Sequence, residues 1–248
     1  MGASSGIGFK VAEMLASRGV CVGLAARHTE TLGQLRDRWP DRVKTASIDI
    51  TRSDAPERMA GLIKELGGMD IYLHIAGIGY ENLALDPEKE VAVMQTNACG
   101  FARMTSAAYR YFRDNGKRGQ IAGITSVAGT NGIGRLSAYS ASKACSQTYM
   151  RALEQLAHGE EADIAFTDIR PGWTKTPLLA SGVKYPLEMD VDYVARRVIR
   201  AIVRKERVCV IDWRWNIVVG LWRLIPNALW VRMPMKISSP DAPFPPAK

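Results

Sequence analysis

Short apolar runs alternate with longer stretches of helical spacing along almost the whole chain. That alternation restricts the fold more than any other feature. The runs are 20–25, 43–48, 70–75, 120–125, 164–169 and 208–211, each short, largely apolar and read as a buried strand. Between them, 8–18, 29–39, 55–66, 88–113, 138–156 and 191–204 show helical spacing of apolar residues. Strand and helix in turn predict an α/β fold: parallel strands covered on both faces, joined by right-handed crossovers into a doubly wound sheet. The 248 residues, 47% of them hydrophobic, are enough for one sizeable core. One domain is expected over 1–212, followed by an amphipathic extension and proline-rich tail over 213–248.

The pattern has a gap at its start. Met1 runs straight into Gly2-Ala3-Ser4-Ser5-Gly6-Ile7-Gly8, and the helical stretch follows at once. A glycine loop of this kind normally follows a central strand of the sheet. The expectation is therefore a native start upstream of Met1, by roughly the length of a short strand. The loop itself is informative. Gly2, Gly6 and Gly8 permit a tight turn and let backbone approach a pyrophosphate, and the next helix offers unpaired N–H groups and a positive dipole end to the anion. Gly2, Ser4, Ser5, Gly6, Ile7 and Gly8 are thus candidate dinucleotide contacts. The end of the next strand bears on which dinucleotide. It reads Leu24-Ala25-Ala26-Arg27-His28, without the carboxylate that accepts from a ribose 2′-OH. Arg27 is a permanently charged planar fork suited to a 2′-phosphate, which favours NADP(H) over NAD.

A second group of residues suggests proton transfer. Tyr139 and Lys143 stand at i and i+4 on a predicted helix, on one face and within reach of one ligand. A phenol with pKa near about 10 is a poor acid–base group at neutral pH, and a fixed ammonium beside it is expected to lower that value. Ser126 falls at the carboxyl end of a predicted strand, where ligands of such sheets bind, and can polarise a substrate oxygen. Asn97 interrupts the stretch 88–113 and can hold a water in a proton relay. Singly, each has a bland explanation: a surface pair, a turn, a satisfied polar group. Their order behind the glycine loop is what argues for chemistry.

The order of these motifs resembles that of the short-chain dehydrogenase/reductase family. The resemblance spans Gly2 to about Ile211 and rests on the glycine loop, Asp49, Ala76-Gly77, Asn97, Ser126, Tyr139-x-x-x-Lys143 and Pro171-Gly172-x-x-x-Thr176. It implies a Rossmann-type, three-layer fold with about seven parallel strands, the first of them missing here. It implies Asn97, Ser126, Tyr139 and Lys143 as a catalytic tetrad, with Asn97, Tyr139 and Lys143 also touching the cofactor. Asp49 and Ile50 would lie near the adenine, Ala76 and Gly77 beside the cofactor, and Pro171, Gly172, Thr174 and Thr176 over the nicotinamide, with Thr176 on its carboxamide. A homodimer or homotetramer, packed through the helices that hold Asn97 and Tyr139, is implied too. Two departures stand out. Met1 takes the place of the usual threonine before the first glycine. His74-Ile75-Ala76-Gly77 replaces Asn-Asn-Ala-Gly, with His74 expected to be a structural substitute.

Other classes fit less well. The formal charge of +8 comes without an arginine-rich arm or RNA-binding motif, so nucleic acid is not an expected partner. Cys21, Cys99, Cys145 and Cys209 are scattered, as are the three histidines, which suggests neither a disulfide framework nor a metal site and suits a reducing cytoplasm. No uncharged apolar run is long enough to span a bilayer, and a signal peptide before the glycine loop is not expected. The rival reading is a non-catalytic NADP-binding sensor or scaffold, which need not keep all four proton-transfer residues. Substrate choice is expected to reside in 172–190 and the C-terminal segment, whose apolar residues suit a lipid-, steroid- or acyl-like small molecule. Residues 213–236 hold four of the six tryptophans together with Arg214, Arg223, Arg232 and Lys236. Two readings follow: a helix packed over the active site or oligomer, or peripheral membrane contact.

Overall fold

The structure, a computed structural model, describes residues 1–179 and 183–233. Lys236 and the proline-rich tail, 238–248, lie outside them. Among the described residues six strands and nine α-helices follow in order: α1 (Gly6–Ser17), β1 (Val22–Ala26), α2 (Glu30–Arg38), β2 (Val43–Ser47), α3 (Ala55–Glu65), β3 (Ile71–His74), α4 (Pro87–Met94), α5 (Phe101–Asp114), β4 (Gly119–Ile124), α6 (Ser137–Gly159), β5 (Ile164–Arg170), α7 (Val191–Val203), β6 (Val208–Val210), α8 (Trp213–Leu224) and α9 (Asn227–Trp230). All strand pairs are parallel. Helices α3, α5 and α6 pack on one face, and α1, α2 and α7 on the other. This is the Rossmann-type three-layer arrangement.

The sheet is in two pieces, β1-β2 and β3-β4-β5-β6. Met1 to Ala3 lie between them and bond to both. The Met1 ammonium donates to Leu73 O at 2.9 Å, Ile75 N donates to Met1 O at 2.9 Å, and Gly2 N donates to Ala25 O at 2.7 Å. The glycine loop therefore leaves from the middle of the fold, between the carboxyl ends of β1 and β3. Among the described residues there are six strands against the expected seven or so.

The expected helix 88–113 is interrupted. A π-helical turn, Gln95–Gly100, joins α4 to α5, and Asn97 sits in it. π-bulges inside α-helices recur at functional sites because they re-aim one side chain without ending the helix. Spacing arguments cannot separate such a turn from a continuous helix, since apolar periodicity persists on both sides. Among the described residues no helix is long and apolar enough to cross a membrane.

Candidate active site

At the carboxyl ends of the strands lies a cleft of about 980 Å³. It runs from Arg27, past the glycine loop and Tyr139, to Trp215 and Trp222. Apart from Asn97, all the expected contacts line it: Gly2, Ser4, Ser5, Gly6, Ile7, Gly8, Arg27, Asp49, Ile50, Ala76, Gly77, Ser126, Tyr139, Lys143, Pro171, Gly172, Thr174 and Thr176.

The loop glycines are required for different steric reasons. Gly2 has φ +87°, and a Cβ there would stand 2.4 Å from Ala76 N. At Gly8 it would stand 2.0 Å from Gly2 O. At Gly6, φ +51°, it would meet the Thr176 methyl at 3.1 Å, so the loop faces the segment that crosses the cleft. Ser5 leads α1 with no side-chain cap, which leaves the helix N–H groups pointing into the cleft. Arg27 is exposed at the end of β1, and its charge acts on Asp49. Burial raises the Asp49 pKa, but two hydrogen bonds from Thr51 (N at 2.9 Å, Oγ1 at 2.7 Å) and the charges of Arg27 and Arg52 bring it below the ordinary value. A dinucleotide fits these residues: narrow glycine walls, a helix N-terminus without a side-chain cap and, at one end, the exposed Arg27 guanidinium, which has no ion pair among the described residues.

Tyr139 and Lys143 are set by the start of α6. The Glu90 carboxylate on α4 accepts from Ala138 N at 3.1 Å and from Asn82 Nδ2 at 2.8 Å, and so anchors that end of α6. Lys143 Nζ lies 5.6 Å from the Tyr139 ring centre and donates to Ile124 O at 3.1 Å. A Cβ on Gly79 would stand 2.8 Å from the Tyr139 ring, and one on Gly77 3.4 Å from Lys143 Nζ. Gly79 thus gives the tyrosine ring room, while Gly77 is tightest against Asn97 Oδ1, at 3.2 Å. The expected depression of the phenol is not what the structure gives. Burial pushes the Tyr139 pKa up, with only Ser126 opposing it. Burial also pulls the Lys143 ammonium down to about 8, against the field of Asp168. Desolvation is the dominant cause of both shifts.

Ser126 caps the short 3-10 turn Val127–Gly129, accepting from Ala128 N at 3.1 Å. Behind it, Gln147 Nε2 donates to Ser126 O at 2.7 Å, and Thr125 Oγ1 donates to the buried Asp168 carboxylate at 2.5 Å. Arg170 pairs with the same carboxylate. Sequence reasoning missed this support, because three separate elements contribute it and no spacing links them.

Asn97 does not line the cleft. Its Oδ1 accepts from Ile78 N at 2.9 Å, and its Nδ2 donates to Ile78 O at 2.7 Å and to Ser142 Oγ at 3.2 Å. It clamps the backbone after Gly77 from behind. His74 is fully buried against Phe101, with Nδ1 2.8 Å from the Tyr72 hydroxyl, and burial pulls its pKa well below the ordinary value.

The other end of the cleft is aromatic. The Trp173 and Tyr185 rings lie 4.7 Å apart; Trp222 packs edge-on against Trp215 at 6.3 Å and Trp230 at 5.4 Å. Trp230 Nε1 donates to Gly132 O at 2.7 Å, and Asn131 Nδ2 to Trp222 O at 3.1 Å. A Cβ on Gly172 would fall 2.2 Å from the Trp215 indole, so α8 presses on the segment after β5. Of the two readings of the C-terminal segment, packing over the cleft describes the inner face of α8.

Residues 1–184 match the family model described as short chain dehydrogenase. An uncharacterized oxidoreductase of Myxococcus xanthus is 33% identical over 236 residues, covering 92% of each chain. A 3-ketodihydrosphingosine reductase of Bacteroides thetaiotaomicron is 34% identical over 161 residues, covering 63% of this chain and 56% of its own. Among solved structures, a short-chain dehydrogenase from Sphingobium yanoikuyae in complex with NADPH superposes with a TM-score of 0.73 at 25% identity, over 92% of this chain and 95% of its own. With the family model matching well over half its length, the chain belongs to the short-chain dehydrogenase family of oxidoreductases.

Proposed function

We propose that the protein is an NADP(H)-dependent oxidoreductase that interconverts a carbonyl and a secondary alcohol on a hydrophobic substrate. The observation that carries this is one continuous cleft, with a free guanidinium at one end, Tyr139, Lys143 and Ser126 in the middle, and an aromatic wall at the other. The nicotinamide supplies or accepts the hydride. Ser126 donates a hydrogen bond to the substrate oxygen. Tyr139 gives that oxygen its proton in reduction and takes it back in oxidation. Lys143 holds the nicotinamide ribose and, while charged, eases loss of the phenolic proton. Asn97 acts through the backbone it clamps. Arg27 reads the 2′-phosphate.

The name of the Bacteroides relative, 3-ketodihydrosphingosine reductase, agrees with a lipid-like substrate. We also propose a cytoplasmic homodimer or homotetramer, packed through the helices that hold Asn97 and Tyr139. All four cysteines are free, which a reducing compartment accommodates. The test is Tyr139→Phe with NADPH and a panel of ketones. Turnover should fall by at least about 100-fold, the scale of lost acid–base catalysis, while NADPH fluorescence titration changes by less than about twofold. A variant that turns over normally removes Tyr139 from the reaction, and an inactive wild type across the panel favours the sensor reading.

A further inference from the structure

Helix α8 has two apolar faces. Trp215, Val219 and Trp222 form the inner one, against the cleft. The outer one is formed by Trp213, Ile217, Leu221 and Leu224, exposed by 70%, 54%, 58% and 79%. Their spacings of four, four and three put them in one stripe on a helix of about 3.6 residues per turn. Gly220 completes the stripe, and Leu229 and Val231 extend the exposed apolar surface beyond α8. A soluble helix normally turns polar residues outward, so a contiguous exposed stripe marks a docking surface.

Charge narrows the choice of partner. On the same wheel Arg214 and Arg223 fall on opposite margins of the stripe. Arg214 is paired with Asp212. Arg223 and Arg232 are exposed and have no ion pair among the described residues. No acidic residue occurs between 213 and 233. A second copy docked stripe to stripe would bring these arginines together with no carboxylate from the segment to answer them. Anionic headgroups answer them directly, and a tryptophan with flanking arginines suits the headgroup boundary.

We infer that the outer face of α8, with α9, docks on an anionic phospholipid bilayer, while the inner face of the same helix walls the substrate end of the cleft. The docked face keeps the cleft beside the phase into which a hydrophobic substrate partitions. That last step rests on the proposed substrate class; the docking does not.

The experiment is flotation of the full chain with phosphatidylcholine vesicles, with and without phosphatidylglycerol, at low and high salt. Each sample is also assayed for NADPH oxidation with a small water-soluble ketone. Wild type should float with the anionic vesicles at low salt and far less at high salt. Ile217→Asp/Leu221→Asp should lose at least about tenfold in vesicle affinity and keep its soluble-ketone activity. Arg223→Gln/Arg232→Gln should lose about fivefold per arginine, and only on anionic vesicles. Wild type remaining in the soluble fraction at low salt overturns the docking. So does equal flotation of the aspartate variant, or a wild-type dimer that the variant dissociates without any vesicle binding. Loss of soluble-ketone turnover in wild type would instead strike the proposed reaction, and the flotation result would still stand.

Discussion

The two ends of the cleft differ in what makes them specific. At the proposed nucleotide end the wall is mainly backbone: a Cβ on Gly2 or Gly8 would collide with Ala76 N or Gly2 O, while Gly6 is held by its φ of +51° and faces the Thr176 methyl at 3.1 Å. At the other end the wall is side chain: Trp173, Trp215 and Trp222 line the cleft, with Tyr185 packed behind Trp173 and Trp230 behind Trp222 by ring contacts. A backbone wall tolerates almost no change, because the neighbouring atoms cannot move aside. A side-chain wall can be recut one residue at a time. The first suits a cofactor shared by many reactions, the second a substrate particular to one.

The comparison breaks most sharply at Gly8. Gly8→Ala puts a methyl 2.0 Å from Gly2 O, so the loop must shift. NADPH affinity should fall at least about 100-fold, about 3 kcal/mol, the upper range of overpacking costs. A fluorescence titration beside a thermal melt reads it. Unchanged affinity would show that the loop is not the rigid wall described.

Arg27→Ala comes next. Loss of charge-assisted hydrogen bonds should weaken NADPH about 10- to 100-fold, roughly 1.5–3 kcal/mol, and leave NADH within about twofold. Equal losses for the two cofactors would detach Arg27 from the 2′-phosphate.

The middle of the cleft is read by pH. Burial sets Lys143 at about 8 against an ordinary 10.5, so the free enzyme loses this charge as pH rises through about 8. If the ammonium is needed, kcat/KM should fall about tenfold per unit above that point. Stability runs the other way for this group. The unfolded chain keeps the proton up to about 10.5 and the folded one releases it near 8, so this contribution grows more favourable between the two. Lys143→Arg stays charged and should move the limb upward, at reduced activity. A limb that stays in place assigns it to another group.

How far sequence reaches follows the same division. The alternation of runs and the glycine spacings are local, so the strands, most helices and the glycine loop that lines the cleft are legible from them. Tyr139 and Lys143 are legible too, one helical turn apart. Asn97 marks an interruption of its stretch, but the π form of that turn is not legible, because apolar periodicity persists on both sides of it. The upward push on Tyr139 is not, because burial, rather than the neighbouring charge, decides it. Asp168, Gln147 and Gly79 reach the site only through tertiary packing, and the tryptophans share no spacing that tells an inner face of α8 from an outer one.

The smallest expected effect tests whether the two ends are separable. Trp222→Ala removes one ring from the aromatic wall and leaves the glycine loop untouched. KM for a bulky apolar ketone should rise roughly fivefold, about 1 kcal/mol for a partly buried contact, while KM for a small ketone moves less and NADPH affinity stays within about twofold. If NADPH weakens as well, the ends are coupled, and the contact chain gives the route. Trp222 packs on Trp215, and Trp215 leaves no room for a side chain at Gly172, in the segment that carries Thr176 to the glycine loop. A double-mutant cycle of Trp222→Ala with Gly6→Ala would then separate the cases, since additive losses mean two independent walls and a shared loss means one.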